Sequence, residues 1–177
     1  MKKTLTILIL GILYVSLCAC PYSSAYTIDE KPSIYVEDVL IGNWLAYIQV
    51  KNSNRQESIT MLLSKKSDTE YNISFTGYLD ALKQYNSITG DSLNGTAFMS
   101  TIDDKQFLNI KINARVYIAQ LVFNNNNLSL LPLAEHFTNK MIFNSQDLRN
   151  CISFHYKTRV HPVLDTDFSL TNMIKLN

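Results

Sequence analysis

The sequence predicts a mainly β protein, an antiparallel meander closing into a small barrel with one late α-helix. Three observations carry this. The dominant period from Leu40 onward is two rather than 3.6, turn-forming clusters punctuate the chain at short intervals, and only one stretch reads as a well-formed helix. Trp44, Ala46, Ile48 and Val50 share one face, with Asn43, Tyr47 and Gln49 on the other. Ile59, Met61 and Leu63 continue the alternation. Tyr71, Ile73 and Phe75 then alternate with Asn72, Ser74 and Thr76 as a half-buried strand does. Further strands are expected around Leu93–Ile102, Gln106–Ile112, Arg115–Phe123, Leu128–Leu131 and Phe168–Leu176.

The breaks between these strands have the chemistry of tight turns: Lys51-Asn52-Ser53-Asn54, Lys65-Lys66-Ser67-Asp68, Asp103-Asp104 and the run Asn124–Asn127. Short strands in succession with tight connections make a meander, and closure into a barrel is the way such a meander loses its exposed edges. Two segments break the rhythm. Residues 76–92 are weakly patterned and read as a loop with a helical turn near Leu79–Gln84. Ser145-Gln146-Asp147-Leu148 reads as a helix start, with Ser145 as cap and Asp147 in the first turn. Leu148, Cys151, Ile152 and His155 fall on one face of the helix expected over about Gln146–His155, docked on the barrel before the final strand.

Ahead of the barrel lies a targeting pattern. Met1-Lys2-Lys3 is a positive start, and Thr4 to Leu17 is apolar but shorter than the roughly 20 residues a spanning helix needs. Residues 1–19 therefore read as a signal peptide, 20–38 as a tether of mixed polarity containing Pro32, and 39–177 as the barrel domain. Leu17-Cys18-Ala19-Cys20 resembles the lipobox of bacterial lipoproteins: an aliphatic residue at −3, a small one at −1 and a Cys at +1. Cys18 stands where a small or β-branched residue is usual. The resemblance implies cleavage before Cys20, lipid attachment to it, and an envelope location. Pro21 in place of an Asp at the next position implies the outer membrane in a Gram-negative cell. Ser23-Ser24-Ala25 offers a second small-residue cleavage site, after Ala25.

Composition narrows the function classes. The chain has 177 residues, of which 46% are hydrophobic and 18% charged, with a formal charge of +1. Loss of residues 1–19 removes Lys2 and Lys3 and no acid, leaving 14 basic and 15 acidic residues. A near-neutral chain without basic clusters does not point to nucleic acid. With Cys18 removed and Cys20 lipidated, Cys151 is left without an intrachain partner; beside Leu148, Ile152 and Phe154 it reads as a buried, inert thiol.

Gly42-Asn43-Trp44 at the opening of the first long strand resembles the G-x-W signature of lipocalins and related calycin barrels. That resemblance spans about residues 38–177 and rests on the order of parts as well as the motif. It implies a lipocalin-like barrel in which Gly42 allows a tight entry to the strand. Trp44 would plug the closed end beneath a cation from near the last strand, Lys175 or Arg159. It also permits an internal cavity, for which Trp44, Ile48, Met61, Tyr71, Ile73, Phe75, Met99 and Tyr117 are the lining candidates.

Catalytic patterns are sparse. His155 and His161 are six apart, a spacing that matches no common zinc motif, and Lys157 and Arg159 lie between them. These two and His136 read as surface or helix-end residues. Five glycines leave no phosphate-cradling loop, and there is no G-x-S-x-G elbow. Ser145, His136 and Asp147 form a triad only on paper, and Glu70, Asp80, Asp103 and Asp104 sit in or beside turns, where acids are ordinary. The expectation is a non-catalytic protein with no cofactor and no metal. It is anchored to the membrane by its N-terminal lipid and binds a small apolar or amphipathic ligand. The alternative is an envelope protein–protein interaction module of inhibitory or immunity type.

Overall fold

A computed structural model describes residues 21–50, 55–79, 91–159 and 163–176. Eight strands form a closed antiparallel barrel: β2 (Gly42–Gln49), β3 (Gln56–Lys65), β4 (Tyr71–Gly77), β5 (Ser92–Ile102), β6 (Lys105–Ile112), β7 (Arg115–Asn124), β8 (Asn127–Pro132) and β9 (Leu170–Leu176). Each pairs with the next, and β9 closes the ring by pairing with both β8 and β2. The helix α1 (Ser145–Thr158) lies between β8 and β9 in sequence. A two-residue strand β1 (Ser23–Ser24) pairs with the start of β7, and Asp38–Leu40 forms a single 3-10 turn before β2.

The tight turns explain their residues. Asn125 and Asn126 both have positive φ, 48° and 65°, and join β7 to β8. Two consecutive left-handed residues match the twist of a hairpin, and Asn tolerates that region better than most side chains. Asp103 and Asn113 occupy the same region in the β5–β6 and β6–β7 turns. Gly95 serves a different need within β5: a Cβ there would lie 2.3 Å from the Lys111 carbonyl oxygen, so only glycine lets the two backbones approach this closely.

The described residues form two apolar clusters. One fills the barrel and includes Trp44, Met61, Leu63, Tyr71, Ile73, Met99, Leu108, Leu128 and Met173. The other lies outside the barrel wall, where Ile102, Phe107, Val116 and Ile118 meet Ile28, Leu133, Phe137 and the Leu148, Cys151 and Ile152 face of α1. β6 therefore buries both faces: Leu108, Ile110 and Ile112 point in, while Phe107 and Asn109 are covered from outside. His155, on the same helix face, is also buried rather than at the surface, with the rings of Phe137 and Phe154 edge-on to it.

Several local expectations change. The helix runs from Ser145 to Thr158, longer at both ends than Gln146–His155. Its cap is Asn144, whose side-chain oxygen accepts from Asp147 N at 2.8 Å, and Ser145 is instead buried in the first turn. The residue one step earlier has the extended backbone that a cap needs. Of the helical turn expected near Leu79–Gln84, only Leu79 lies within the described residues, and it is buried in the barrel cluster.

The segment read as a tether, 20–38, is docked on the barrel from Pro21 onward. Tyr22 N donates to Leu133 O, β1 pairs with Val116 and Tyr117, and Ile28 is 1% exposed. Its anchor is nonlocal. Ile28 N donates to Asn109 Oδ1 at 2.7 Å, and the Asn109 amide donates to Ser100 Oγ at 2.8 Å and Phe98 O at 3.2 Å. Arg149 on α1 ties the same segment down through Asp29 and through Thr101 O. A buried amide that satisfies a segment's own N–H removes the penalty that otherwise keeps irregular backbone in water.

Candidate functional site

The two ends of the barrel differ. At one end Trp44 is 1% exposed, and its indole Nε1 donates to Leu40 O at 2.8 Å. Lys175 Nζ lies 5.4 Å from the Trp44 ring centroid and donates to Val39 O at 2.9 Å. Gly42 has φ +140°, and a Cβ on it would lie 2.6 Å from Lys175 Cε. Glycine is thus needed twice at this point, for backbone angle and for room for the cation's stem. The Phe123 ring meets Trp44 edge-on, and this end is shut. Of the two cations proposed from sequence, the partner of Trp44 is Lys175; Arg159 caps the far end of α1 with φ 52°.

The other end is open. A cavity of about 110 Å³ enters it, lined at depth by Ile48, Ile59, Phe75, Leu93, Ile110, Ile112, Tyr117, Ala119, Leu130 and Leu170. Its mouth is formed by Pro21, Tyr78, Pro132, Asp167, Phe168 and Ser169. The wall is almost wholly apolar, so a hydrocarbon of similar size is matched by the lining and water is not.

The eight sequence candidates all belong to the barrel interior but divide between these halves. Ile48, Phe75 and Tyr117 line the cavity. Trp44, Met61, Tyr71, Ile73 and Met99 are packed beneath it, each at 2% exposure or less. The Tyr71 hydroxyl accepts from Glu37 N at 2.8 Å, and burial raises its pKa. Sequence reasoning missed Ile59, Leu93, Ile110, Ile112 and Leu130, which lie on inward strand faces, and the small Ala119 beside them. It also missed Pro21, which no local pattern connects to a barrel mouth.

The residues weighed for catalysis are dispersed in kind and environment. Ser145 is buried, the Asp147 carboxylate accepts from Phe143 N, and His136 stands exposed beside Glu135. Glu70 pairs with Lys66, Asp104 with Lys105, and Asp103 with Lys157. Cys151 is buried, its thiol 3.0 Å from Thr138 Oγ1. Among the described residues no group of three His, Cys, Asp or Glu side chains is arranged to hold a metal ion. Cys20, Asp80 and His161 lie outside the described residues.

Fold and site together define a closed eight-stranded antiparallel barrel with one helix, compatible with a lipocalin-like fold. Comparison of the chain with protein-family models, curated proteins and solved structures gives no match.

Proposed function

We propose that this protein is a lipid-anchored envelope lipoprotein, held by Cys20, whose lipocalin-like barrel binds one small apolar or amphipathic ligand. The observation that carries the reading is the cavity of about 110 Å³ at one end of the barrel, apolar in depth and with a few polar groups only at its mouth. A deep wall whose one polar side chain is Tyr117 selects an apolar tail, and Asp167 and Ser169 at the rim suit a polar head. The pairing of Gly42, Trp44 and Lys175 at the shut end supports the lipocalin-like part of the reading. The lipobox-like Leu17-Cys18-Ala19-Cys20 supports the anchor.

Filling the cavity tests this directly. Ala119 is inward and lines the space, so Ala119→Phe places a ring where the ligand would lie. An apolar fluorescent probe is expected to bind the wild-type protein saturably and to lose at least tenfold in affinity in Ala119→Phe, with Ala119→Leu intermediate and both variants folded by circular dichroism. Native mass spectrometry of protein taken from the envelope in mild detergent is expected to show a bound apolar species. If the wild-type protein binds no probe and carries no added mass, the ligand reading is wrong.

A second reading, a protein-interaction module, draws on Met141 and Phe143, which stand 81% and 66% exposed in the loop before α1. Large apolar side chains this exposed mark contact surfaces more often than isolated residues do when they occur together. Met141→Ser with Phe143→Ser is expected to abolish any saturable envelope-protein complex while leaving probe binding intact.

A further inference from the structure

The cavity is broad and shallow. All eight barrel strands contribute to its wall, from Ile48 on β2 round to Leu170 on β9, so the space lies on the barrel axis. Among the described residues the wall is two inward positions deep: β6 offers Ile112 and Ile110, and β7 offers Tyr117 and Ala119. Such positions are about 7 Å apart along a strand and about 5 Å apart along the axis, because barrel strands tilt by roughly 35–45°. The next inward residues form a floor. Met61, Ile73, Leu108, Leu121 and Leu128 each stand two residues beyond a wall residue, and each is 3% exposed or less. Met61 also pairs across the sheet with Phe75 of the wall.

We infer, resting on the ligand-binding reading above, that the cavity takes a compact one-ring molecule rather than an extended chain. About four to six of its carbons are buried, and one polar substituent stays at the mouth. Volume sets the upper limit. An apolar cavity of about 150 Å³ stays dry and takes a single benzene ring, so about 110 Å³ scales to roughly four to six carbon atoms. Depth sets the shape. A membrane acyl chain spans about 15 Å, half of the hydrocarbon core, which is roughly three times the axial spacing of the two wall positions. A ring fills a short, wide space that an extended chain overruns. The lining has matching chemistry: Phe75 in the wall and Tyr78 and Phe168 at the mouth offer ring edges and faces to an aromatic guest. No described side chain of the deep wall is charged, so the buried part of the guest is uncharged, and its polar substituent meets Asp167 and Ser169 at the rim.

The test is calorimetric titration of the full-length protein in phosphatidylcholine nanodiscs, with the heat of empty nanodiscs subtracted. The probes are straight-chain alcohols from butanol to dodecanol and the ring compounds cyclohexanol and phenol. Cyclohexanol is expected to bind at least about fivefold more tightly than 1-pentanol, an alcohol no less apolar whose chain must give up its rotations. Along the straight chains, affinity is expected to stop rising beyond about six carbons. Met61→Ala removes about three side-chain atoms from the floor and is expected to move that limit outward by about three carbons, in a variant shown to be folded by circular dichroism. Should it fail to fold, Leu121→Ala opens the same floor from β7. A wild-type affinity that keeps rising to dodecanol, or 1-pentanol binding as tightly as both ring compounds, overturns the one-ring class. So does a chain-length limit that stays in place in a folded floor variant. Each of these leaves ligand binding itself standing, whereas no saturable heat from any compound in either series removes the ligand reading and the one-ring class together.

Discussion

Asn109 is the residue whose loss separates a docked N-terminal segment from a free tether. Its side chain is 0% exposed and makes three hydrogen bonds: it accepts from Ile28 N and donates to Ser100 Oγ and Phe98 O. Asn109→Ala leaves the Ile28 N–H buried without an acceptor, at about 1–3 kcal/mol, and forfeits two further bonds at about 0.5–1.5 kcal/mol each. These contributions are not additive in a shared network, and about 3 kcal/mol is the working value. For a chain of this size, each kcal/mol lowers Tm by roughly 2–4 °C, so a fall of about 6–12 °C is expected in thermal unfolding followed by circular dichroism. The substitution also has a local signature. Limited proteolysis should cut within residues 25–31 of Asn109→Ala under conditions that leave the wild-type segment intact. Asn109→Asp keeps the oxygen that serves Ile28 N but places a charge where the amide donated, and so it should protect the segment no better than alanine. A shift below about 2 °C with an uncut segment would refute the claim that Asn109 holds residues 27–29 to the wall.

Two further predictions concern the shut end and the helix. Gly42→Ala puts a Cβ against Lys175 Cε in a backbone region disfavoured for L side chains, and a cost above about 1 kcal/mol is expected in urea unfolding. Adding Lys175→Ala should recover the part due to the clash but not the part due to φ, which a double-mutant cycle resolves; full recovery would show that φ is unimportant there. Burial pushes the Tyr156 hydroxyl, which donates to Gln120 Oε1 at 2.6 Å, up to about 12. In an ultraviolet titration, the highest tyrosine transition should therefore disappear in Tyr156→Phe. Because the folded pKa is raised, the folded state holds a proton that the unfolded chain gives up near pH 10. Stability should consequently fall as pH rises from about 10 to about 12, and should fall less in the variant.

Much of the barrel was legible because one face of most strands looks inward and the other meets water. The alternation in Tyr71–Thr76 and in Trp44–Gln49 gives the strand and its inward set at once. The hairpin positions were legible for a local reason too, since Asn125-Asn126 and Asp103 carry the turn angles themselves. The outer cluster was harder to read. β6 presents Phe107 and Leu108 in succession, which tells that both faces are covered but not by what. The cover comes from residue 28 and from α1, contacts some 80 residues apart in one direction and 40 in the other. The docking of residues 21–31 was hidden for the same reason: they are locally polar and irregular, and their partners on β6, β7 and α1 lie far away in sequence. The cavity was beyond local reading. Whether inward side chains fill a barrel depends on the sum of their sizes across eight strands, which no single segment reveals.

Closure through β9 has a consequence for the order of folding. The ring is completed only when Asn43, Trp44 and Leu45 pair with Leu176, Lys175 and Ile174, residues some 130 positions apart. Until the last seven-residue strand is in place, β2 and β8 each present an unpaired edge, and an unpaired edge is a template for joining another chain. Contacts at this separation also form slowly, because a long loop must close before they are rewarded. A chain made N-terminus first thus spends the interval before its last strand as an open sheet, and it is the arrival of Leu170–Leu176 that ends its exposure to aggregation.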